Sequence, residues 1–421
     1  MQETNLKSWK RPVLFILAMI LITLLASVLT GLWVLTAIPI GFLFGFFLEK
    51  ADLCGASAFS EVVMMRDKEK LGGIWVIIAV SMIGFALLAS SGLIDLNPKH
   101  FTWANKIVGG VLFGIGIVLA GGCVSGCLFK TGQGNINSMA GLVGIPLGIA
   151  AVKYGPLNGL TSYLHQFTIK APDGGAISLS TLIGLPYWLL ALLIGIITIF
   201  VAWKISQKKR QGKPQNPQAV LKEEEEEETS IMQKLTLKRW KPWQAGLAIG
   251  ILALAAYMSS ASSGRNYPLG VTGGVVYTQL SITDAPLEYV YAPKSEAPPV
   301  KAPVFQSQTA GKESKSVKLW LILLVICLVI GANYSARITG KLQFKPRPPE
   351  QTVTSFFGGI ILGSGAAIAH GCIVGNIMSG VALMSVGSIL FAIVVIPTAW
   401  LTTYFYLMGG ELKDLLGLNR E

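Results

Sequence analysis

Charged side chains are scarce in this chain: they make up 13% of its 421 residues, against 52% hydrophobic. Soluble globular domains carry about a quarter charged residues. That scarcity excludes a water-soluble globular protein and predicts a polytopic membrane protein. Disulfide chemistry has little to work with. The five cysteines (Cys54, Cys123, Cys127, Cys327 and Cys372) are odd in number. All lie in or beside apolar segments, which excludes a secreted disulfide framework. No catalytic triad or metal-ligand cluster is present. GQGNIN at 132–137 is not a phosphate-binding loop, because no strand precedes it and no Gly-Lys-Ser/Thr follows. The net charge of +12 has no aromatic-interleaved basic patch outside the loops, so nucleic acid is not an expected partner. It reads instead as the usual excess of Lys and Arg in cytoplasmic loops.

What is abundant is apolar sequence. Spans are expected near 13–35, 36–49, 74–94, 107–121, 139–152, 181–203, 243–261, 318–336, 353–369 and 382–408. Several fall short of the roughly 20 residues a bilayer crossing needs. The short ones flank cysteines, which predicts broken or re-entrant helices enclosed by protein. Residues 13–35 follow a basic start (Lys7, Lys10, Arg11) and read as a first span, too long for a signal core and without a clear cleavage site.

Residues 204–242 separate two halves, 1–203 and 243–421. This segment is rich in Lys and Arg and contains six consecutive glutamates, Glu223 to Glu228. Such a like-charge block reads as a solvated tether, placed with the N-terminus in the cytoplasm. A polar stretch at about 281–316 reads as an irregular loop, and 264–276 as a further re-entrant piece.

The two halves share a motif. Residues 109–126 (GGVLFGIGIVLAGGCVSG) align without gaps on 358–375 (GGIILGSGAAIAHGCIVG) at an offset of 249, with eight of eighteen positions identical. Arg66, Lys68 and Lys70 place 66–72 in the cytoplasm, so the first motif helix enters from outside. Lys341, Lys345 and Arg347 place 341–350 there too, so the second enters from inside. The expected fold is therefore all-α, with two inverted-topology repeats whose broken helices meet near the midplane. A weaker likeness, GFLFG at 41–45 to GLAIG at 246–250, would set Cys54 opposite Ser259.

The motif suggests chemistry. Gly110/Gly114, Gly359/Gly363, Gly122/Gly126 and Gly371/Gly375 are spaced by four, which lets helix backbones approach closely. Gly122 and Gly371 also permit a turn beside each cysteine. Freed N–H groups at a half-helix end attract anions. Cys123 and Cys372 occupy equivalent places, and an apolar setting keeps a thiol protonated. A protonated thiol is a soft, weak donor, suited to a ligand with a terminal sulfur and to its release. Cys54, in LEKADLCGASAFSE, is a third candidate. Cys127 shares a helical face with Cys123, as accessory thiol or as packing, and Cys327 reads as packing. Lys130 either attracts an anion or snorkels. Ser125, His370 and Asn376 offer further polar contacts along the path.

The runs LAGGCVSGCLFKTGQGN at 119–135, AHGCIVGNIMSG at 369–380 and EKADLCGASAFSE at 49–61 resemble the YeeE/YedE (sulfur transport) family. The resemblance covers essentially the whole chain apart from 204–242 and 281–316. It implies an inner-membrane, multi-pass transporter that passes thiosulfate inward between three thiols along an hourglass-shaped path, without a cofactor. By motif these thiols are Cys54, Cys123 and Cys372. It also implies a cytoplasmic sulfur-carrier (TusA-like) protein as partner. Gln133 replaces an expected Glu, and Asp52 stands where a basic or aromatic stretch is usual. The extra length is similar to the YedE-like branch, linked with selenium metabolism. Three other readings stay open: a selenium-compound transporter, a membrane thiol–disulfide oxidoreductase, and a soft-metal transporter using Cys with Met139, Met378 and Met384.

Overall fold

The computed structural model describes residues 10–171, 175–211, 239–283, 287–290, 315–344, 348–407 and 409. The glutamate run of the tether and most of the 281–316 loop lie outside the described residues.

Almost every described element is a helix. The first half comprises α1 (Lys10–Thr30), α2 (Ala37–Ala51), α3 (Gly55–Met64), α4 (Glu69–Ser90), α5 (Trp103–Leu119), α6 (Val124–Gly132), α7 (Ile136–Lys153), α8 (Asn158–His165), α9 (Leu179–Ile183) and α10 (Tyr187–Gln211). The second comprises α11 (Pro242–Ser262), α12 (Thr272–Thr283), α13 (Leu319–Ile338), α14 (Pro349–Ile368), a π-helical segment (Val374–Val381) and α15 (Val386–Leu407). Two short strand pairs, Phe101–Thr102 with Thr168–Ile169 and Leu287–Val290 with Lys315–Lys318, tie loops together.

Among the described residues, nine helical segments are long and apolar enough to cross a membrane. Two of them, 33–64 and 103–132, are interrupted runs, broken just before Cys54 and Cys123. The span expected at 36–49 is thus the first part of a longer broken run. The span expected at 181–203 starts late: the chain turns at Gly184, whose φ is +74°, and α10 begins at Tyr187. The stretch 264–276 is irregular up to Val271 and then enters α12. Leu14, Leu17, Leu21, Ile22, Val28 and Leu29 of α1 are all exposed, as expected where the solvent is hydrocarbon.

The interior is held by backbone-to-backbone contact at glycines. A Cβ on Gly45 would lie 1.9 Å from the Leu328 carbonyl oxygen, and one on Gly148 would lie 2.0 Å from that of Ile360. Only a residue without a side chain lets those helices touch, which is how membrane helices gain packing without a hydrophobic drive between them.

The contacts between α5 and α14 have a further regularity. Gly116 abuts Leu362, and Gly365 abuts Phe113. Gly109 abuts Ala369, and Gly358 abuts Ala120. Adding 249 to one member of each first pair, and subtracting it from the other, yields the second pair. The helices run antiparallel, and these four contacts map onto one another when the halves are exchanged. The same holds elsewhere: α7 packs on α14 as α15 packs on α5, and α13 packs on α2 as α11 packs on α4. Gly41 and Gly45 sit on Leu324 and Leu328, while Gly246 and Gly250 sit on Val76 and Val80. The GFLFG and GLAIG segments thus occupy matching positions.

Candidate functional site

Three helix breaks, each leading into a cysteine, share one local construction. At Asp52, Gly121 and His370 the backbone turns left-handed, with φ of 49°, 65° and 56°. The N–H of that residue bonds back to Glu49, Val118 or Ala367. The next N–H reaches Leu48, Ile117 or Ala366. This double bond is the Schellman closure of a helix C-terminus. One residue later comes Cys54, Cys123 or Cys372. Its carbonyl accepts from Ala58, Cys127 or Asn376 at 2.8, 2.7 and 2.8 Å, so a new helical segment starts at the cysteine. Each thiol therefore sits at a helix N-terminus, where free N–H groups and the helix dipole favour anions. The π-helical start of the third segment is a wider coil of a kind frequent at functional sites.

The breaks converge. Cys54 Sγ lies 3.7 Å from Cys123 Sγ although the two are 69 residues apart. Gly126 presses on the pair: a Cβ there would be 2.3 Å from Cys54 Sγ. Gly55 meets Ile373, the neighbour of Cys372, with an added Cβ 2.3 Å from its Cδ1. All five cysteines are free thiols. Cys54, Cys123 and Cys372 are 0%, 1% and 1% exposed, whereas Gly121 and His370, two residues earlier, face open space. Exposure thus falls from the turn residue to the thiol within two residues at both of these motifs.

The supporting residues follow the same exchange. Cys127 Sγ donates to the Gly122 carbonyl at 3.6 Å, and its counterpart Asn376 donates from Nδ2 to the Gly371 carbonyl at 2.8 Å. Lys130 Nζ donates to the Gly121 carbonyl at 2.8 Å. The equivalent carbonyl, that of His370, also accepts a lysine at 2.8 Å, but from Lys99, 271 residues away. Ser125 Oγ lies 3.3 Å from Cys123 Sγ, and the Gly126 N–H donates to the same sulfur at 3.4 Å. His370 contributes its carbonyl rather than its ring, which lies tilted against that of His165, centroids 5.6 Å apart. Cys327 is partly exposed on α13 and joins none of this.

Sequence reading missed Lys99, Lys106, Arg265 and Tyr267. Asn376 Oδ1 accepts from both Lys99 and Lys106 at 3.0 and 2.9 Å, and Lys106 Nζ also donates to the Ala369 carbonyl at 2.6 Å. Tyr267 donates its hydroxyl to the Gly375 carbonyl at 2.6 Å. Lys106, 1% exposed inside an apolar helix, was the legible signal: an intramembrane lysine is costly unless it serves a site. On the other side of the thiols, near the ends of the tether, charges are paired. Lys70 bridges Asp52 and Glu61 at 3.0 and 2.6 Å, Arg239 reaches Asp52 at 3.4 Å, and Lys341 reaches the buried Glu49 at 3.2 Å. Gln133 donates to Glu49 at 3.3 Å. Among the described residues no group of three or more His, Cys, Asp or Glu forms a metal cluster.

Comparison with known proteins agrees with this picture. A family model described as sulphur transport matches residues 50–401. The thiosulfate transporter TsuA of Spirochaeta thermophila is 28% identical over 389 residues, covering 89% of this chain and 96% of that protein. TsuA of Escherichia coli is 25% identical over 372 residues, covering 87% and 94%. The probable transporter YedE of Escherichia coli is 36% identical, but over 96 residues, 22% of this chain and 23% of that protein.

Proposed function

The chain belongs to the sulphur-transport family, a family of membrane transporters rather than enzymes, and from that membership we propose that it carries thiosulfate inward through a relay of thiols. The observation that carries the reading is the 3.7 Å approach of Cys54 and Cys123, each at the start of a helix, with the Cys372 break packed against them. Thiosulfate has a soft terminal sulfur and a doubly charged oxygen end. A protonated thiol donates weakly to the former, and helix N-termini with nearby lysines attract the latter. Weak donors at successive positions release as readily as they bind, which conduction requires.

The route runs from Cys372 to Cys123 and Cys54, and ends at the face that carries the tether, taken as cytoplasmic from its Lys and Arg. There a TusA-like sulfur carrier would accept the cargo. The exchange of contacts under the 249 offset supports reading 1–203 and 243–421 as inverted repeats joined by 204–242. The oxidoreductase reading has less support, because the closest thiol pair is buried where no substrate protein reaches it. The near full-length match to TsuA, beside the 96-residue match to YedE, favours thiosulfate over a selenium compound.

Reconstitution in liposomes with [35S]thiosulfate tests the proposal. Cys123→Ala and Cys372→Ala insert normally and lose uptake, while Cys327→Ala transports like the parent. Parental uptake by both motif variants would end the relay.

A further inference from the structure

A cavity of about 290 Å³ opens on the face opposite the tether, lined by Lys99, Lys153, Arg265, Tyr267, His370 and Gly371 among others. No Asp or Glu lines it. Among the described residues, none of Lys99, Lys106, Lys153 and Arg265 has a carboxylate within 4.0 Å, although Lys106 is 1% exposed and Lys99 and Arg265 are partly buried. Burying cations without a counter-charge costs several kcal/mol per ion in order of magnitude. An anion in the cavity would offset that cost.

The cavity wall is built to hold these cations. Gly264, at φ +78°, closes α11 with the same bond pattern as the three cysteine breaks: its N–H reaches Ala261 and that of Arg265 reaches Ser260. The same closure recurs at Gly92, Gly134, Gly340 and Met384; at Gly264 it leads into arginine and asparagine. Arg265 Nη1 donates to the carbonyls of Tyr267 and Pro268 at 3.1 and 2.6 Å, which aims the guanidinium. Its face packs against the rings of Tyr267 and Trp320 at 5.5 and 5.1 Å. Two glycines make room: a Cβ on Gly270 would lie 2.7 Å from Arg265 Nη2, and one on Gly371 would lie 2.7 Å from Lys99 Nζ. Lys99 spends two bonds on His370 and Asn376 and keeps a third proton for a ligand.

We infer that this cavity binds a tetrahedral oxyanion dianion, sulfate as a whole or thiosulfate by its oxygen end, with Arg265 and Lys99 as the recognising cations. The inference rests on the reading of the chain as an anion transporter, not on the relay. Arg265 supplies a planar fork matched to two oxygens, and Lys99 a point charge. Gly371 on the wall precedes Cys372, so an anion captured here is next to the second motif. Capture reads charge and shape, which sulfate and thiosulfate share. The thiols then read the terminal sulfur, which sulfate lacks.

Burial pulls the Lys99 ammonium from its ordinary value down to about 7. The titratable and charged groups around it are Arg265, Lys106, Lys153, His165, His370, Cys372, Tyr257, Tyr267 and Tyr277. A lysine with a lowered value is charged below it and neutral above it. Anion affinity is therefore complete in mild acid and declines as pH rises through 7 and beyond, a bound dianion moving the decline upward.

The test is equilibrium binding of [35S]sulfate to the full chain in detergent, beside [35S]thiosulfate uptake in liposomes. The parent should bind sulfate, and unlabelled sulfate should compete with thiosulfate. Arg265→Met and Lys99→Met should each lose roughly tenfold or more in affinity, the worth of one charge-assisted contact. Affinity should fall between pH 6.5 and 8.5, and Lys99→Arg should bind without that slope. If a methionine variant does not fold, the parental pH profile against that of Lys99→Arg decides. No sulfate binding by the parent, or parental affinity and slope in the variants, overturns the inference. Thiosulfate uptake without sulfate binding does so while leaving the transport reading intact; sulfate binding without uptake does the reverse.

Discussion

The two sides of the thiol cluster differ in charge pairing: on the tether side Lys70, Arg239 and Lys341 are paired with carboxylates and Lys130 rests on a carbonyl, whereas on the opposite side none of Lys99, Lys106 and Arg265 has a carboxylate partner among the described residues. Beside Cys54, Lys70 and Arg239 are held by Asp52, with Glu61 on Lys70, and Lys341 is held by Glu49. Beside Cys372, Lys99 and Lys106 rest on a neutral amide and on carbonyls, and Arg265 on carbonyls and rings. The backbone at the two sides is nearly the same, down to the lysine ammonium on the carbonyl two residues before the cysteine. The difference lies in charge. An anion approaching the opposite face meets an uncompensated positive field, which concentrates it. One reaching the tether side meets, apart from Lys130, fields already cancelled at short range, and is held less.

Breaking the thiols should have the largest effect, since both sides need them. Cys123→Ala or Cys372→Ala should abolish [35S]thiosulfate uptake. Gly126→Ala comes next: its Cβ would intrude to 2.3 Å from Cys54 Sγ, so that buried thiol must move away from Cys123. Uptake should fall at least tenfold with stability down by about 1–3 kcal/mol, the usual cost of overpacking. Asn376→Asp would give the unpaired side a carboxylate between Lys99 and Lys106 and so make it resemble the tether side. Uptake should fall roughly tenfold through a raised KM, the size expected when a charge-assisted contact of about 1.5–3 kcal/mol is diverted. Equal KM values in Asn376→Asp and the parent would remove the charge contrast. The smallest effect is expected at a backbone turn and is read as stability. His370 takes a left-handed φ of 56° that glycine adopts freely, as Gly121 does at the equivalent place. His370→Gly should raise the unfolding midpoint by the equivalent of ~1 kcal/mol.

The cysteines illustrate how far a linear reading goes. The pairing of Cys123 with Cys372 was visible because duplication leaves its mark on sequence. Cys54 was a candidate only by local resemblance; its approach to Cys123 depends on α2 and α6 folding into one neighbourhood across 69 residues. Lys130 was noticed because it follows the motif. Lys99 does the same task from a loop 271 residues before its acceptor, and no pattern links the two. His370 reads from the sequence as a polar contact along the path, yet its carbonyl and its backbone turn are what hold Lys99 and lead into Cys372.

Composition, glycine spacing and internal likeness were sufficient by themselves to specify a helical membrane protein with interrupted spans and a doubled cysteine motif, because those properties follow from the solvent and from local backbone freedom. Which thiols touch, which carbonyl each lysine occupies, and which cations go without a counter-charge were decided only by tertiary packing. Such pairings join residues far apart in the chain, and their energies depend on burial and separation that local sequence does not encode.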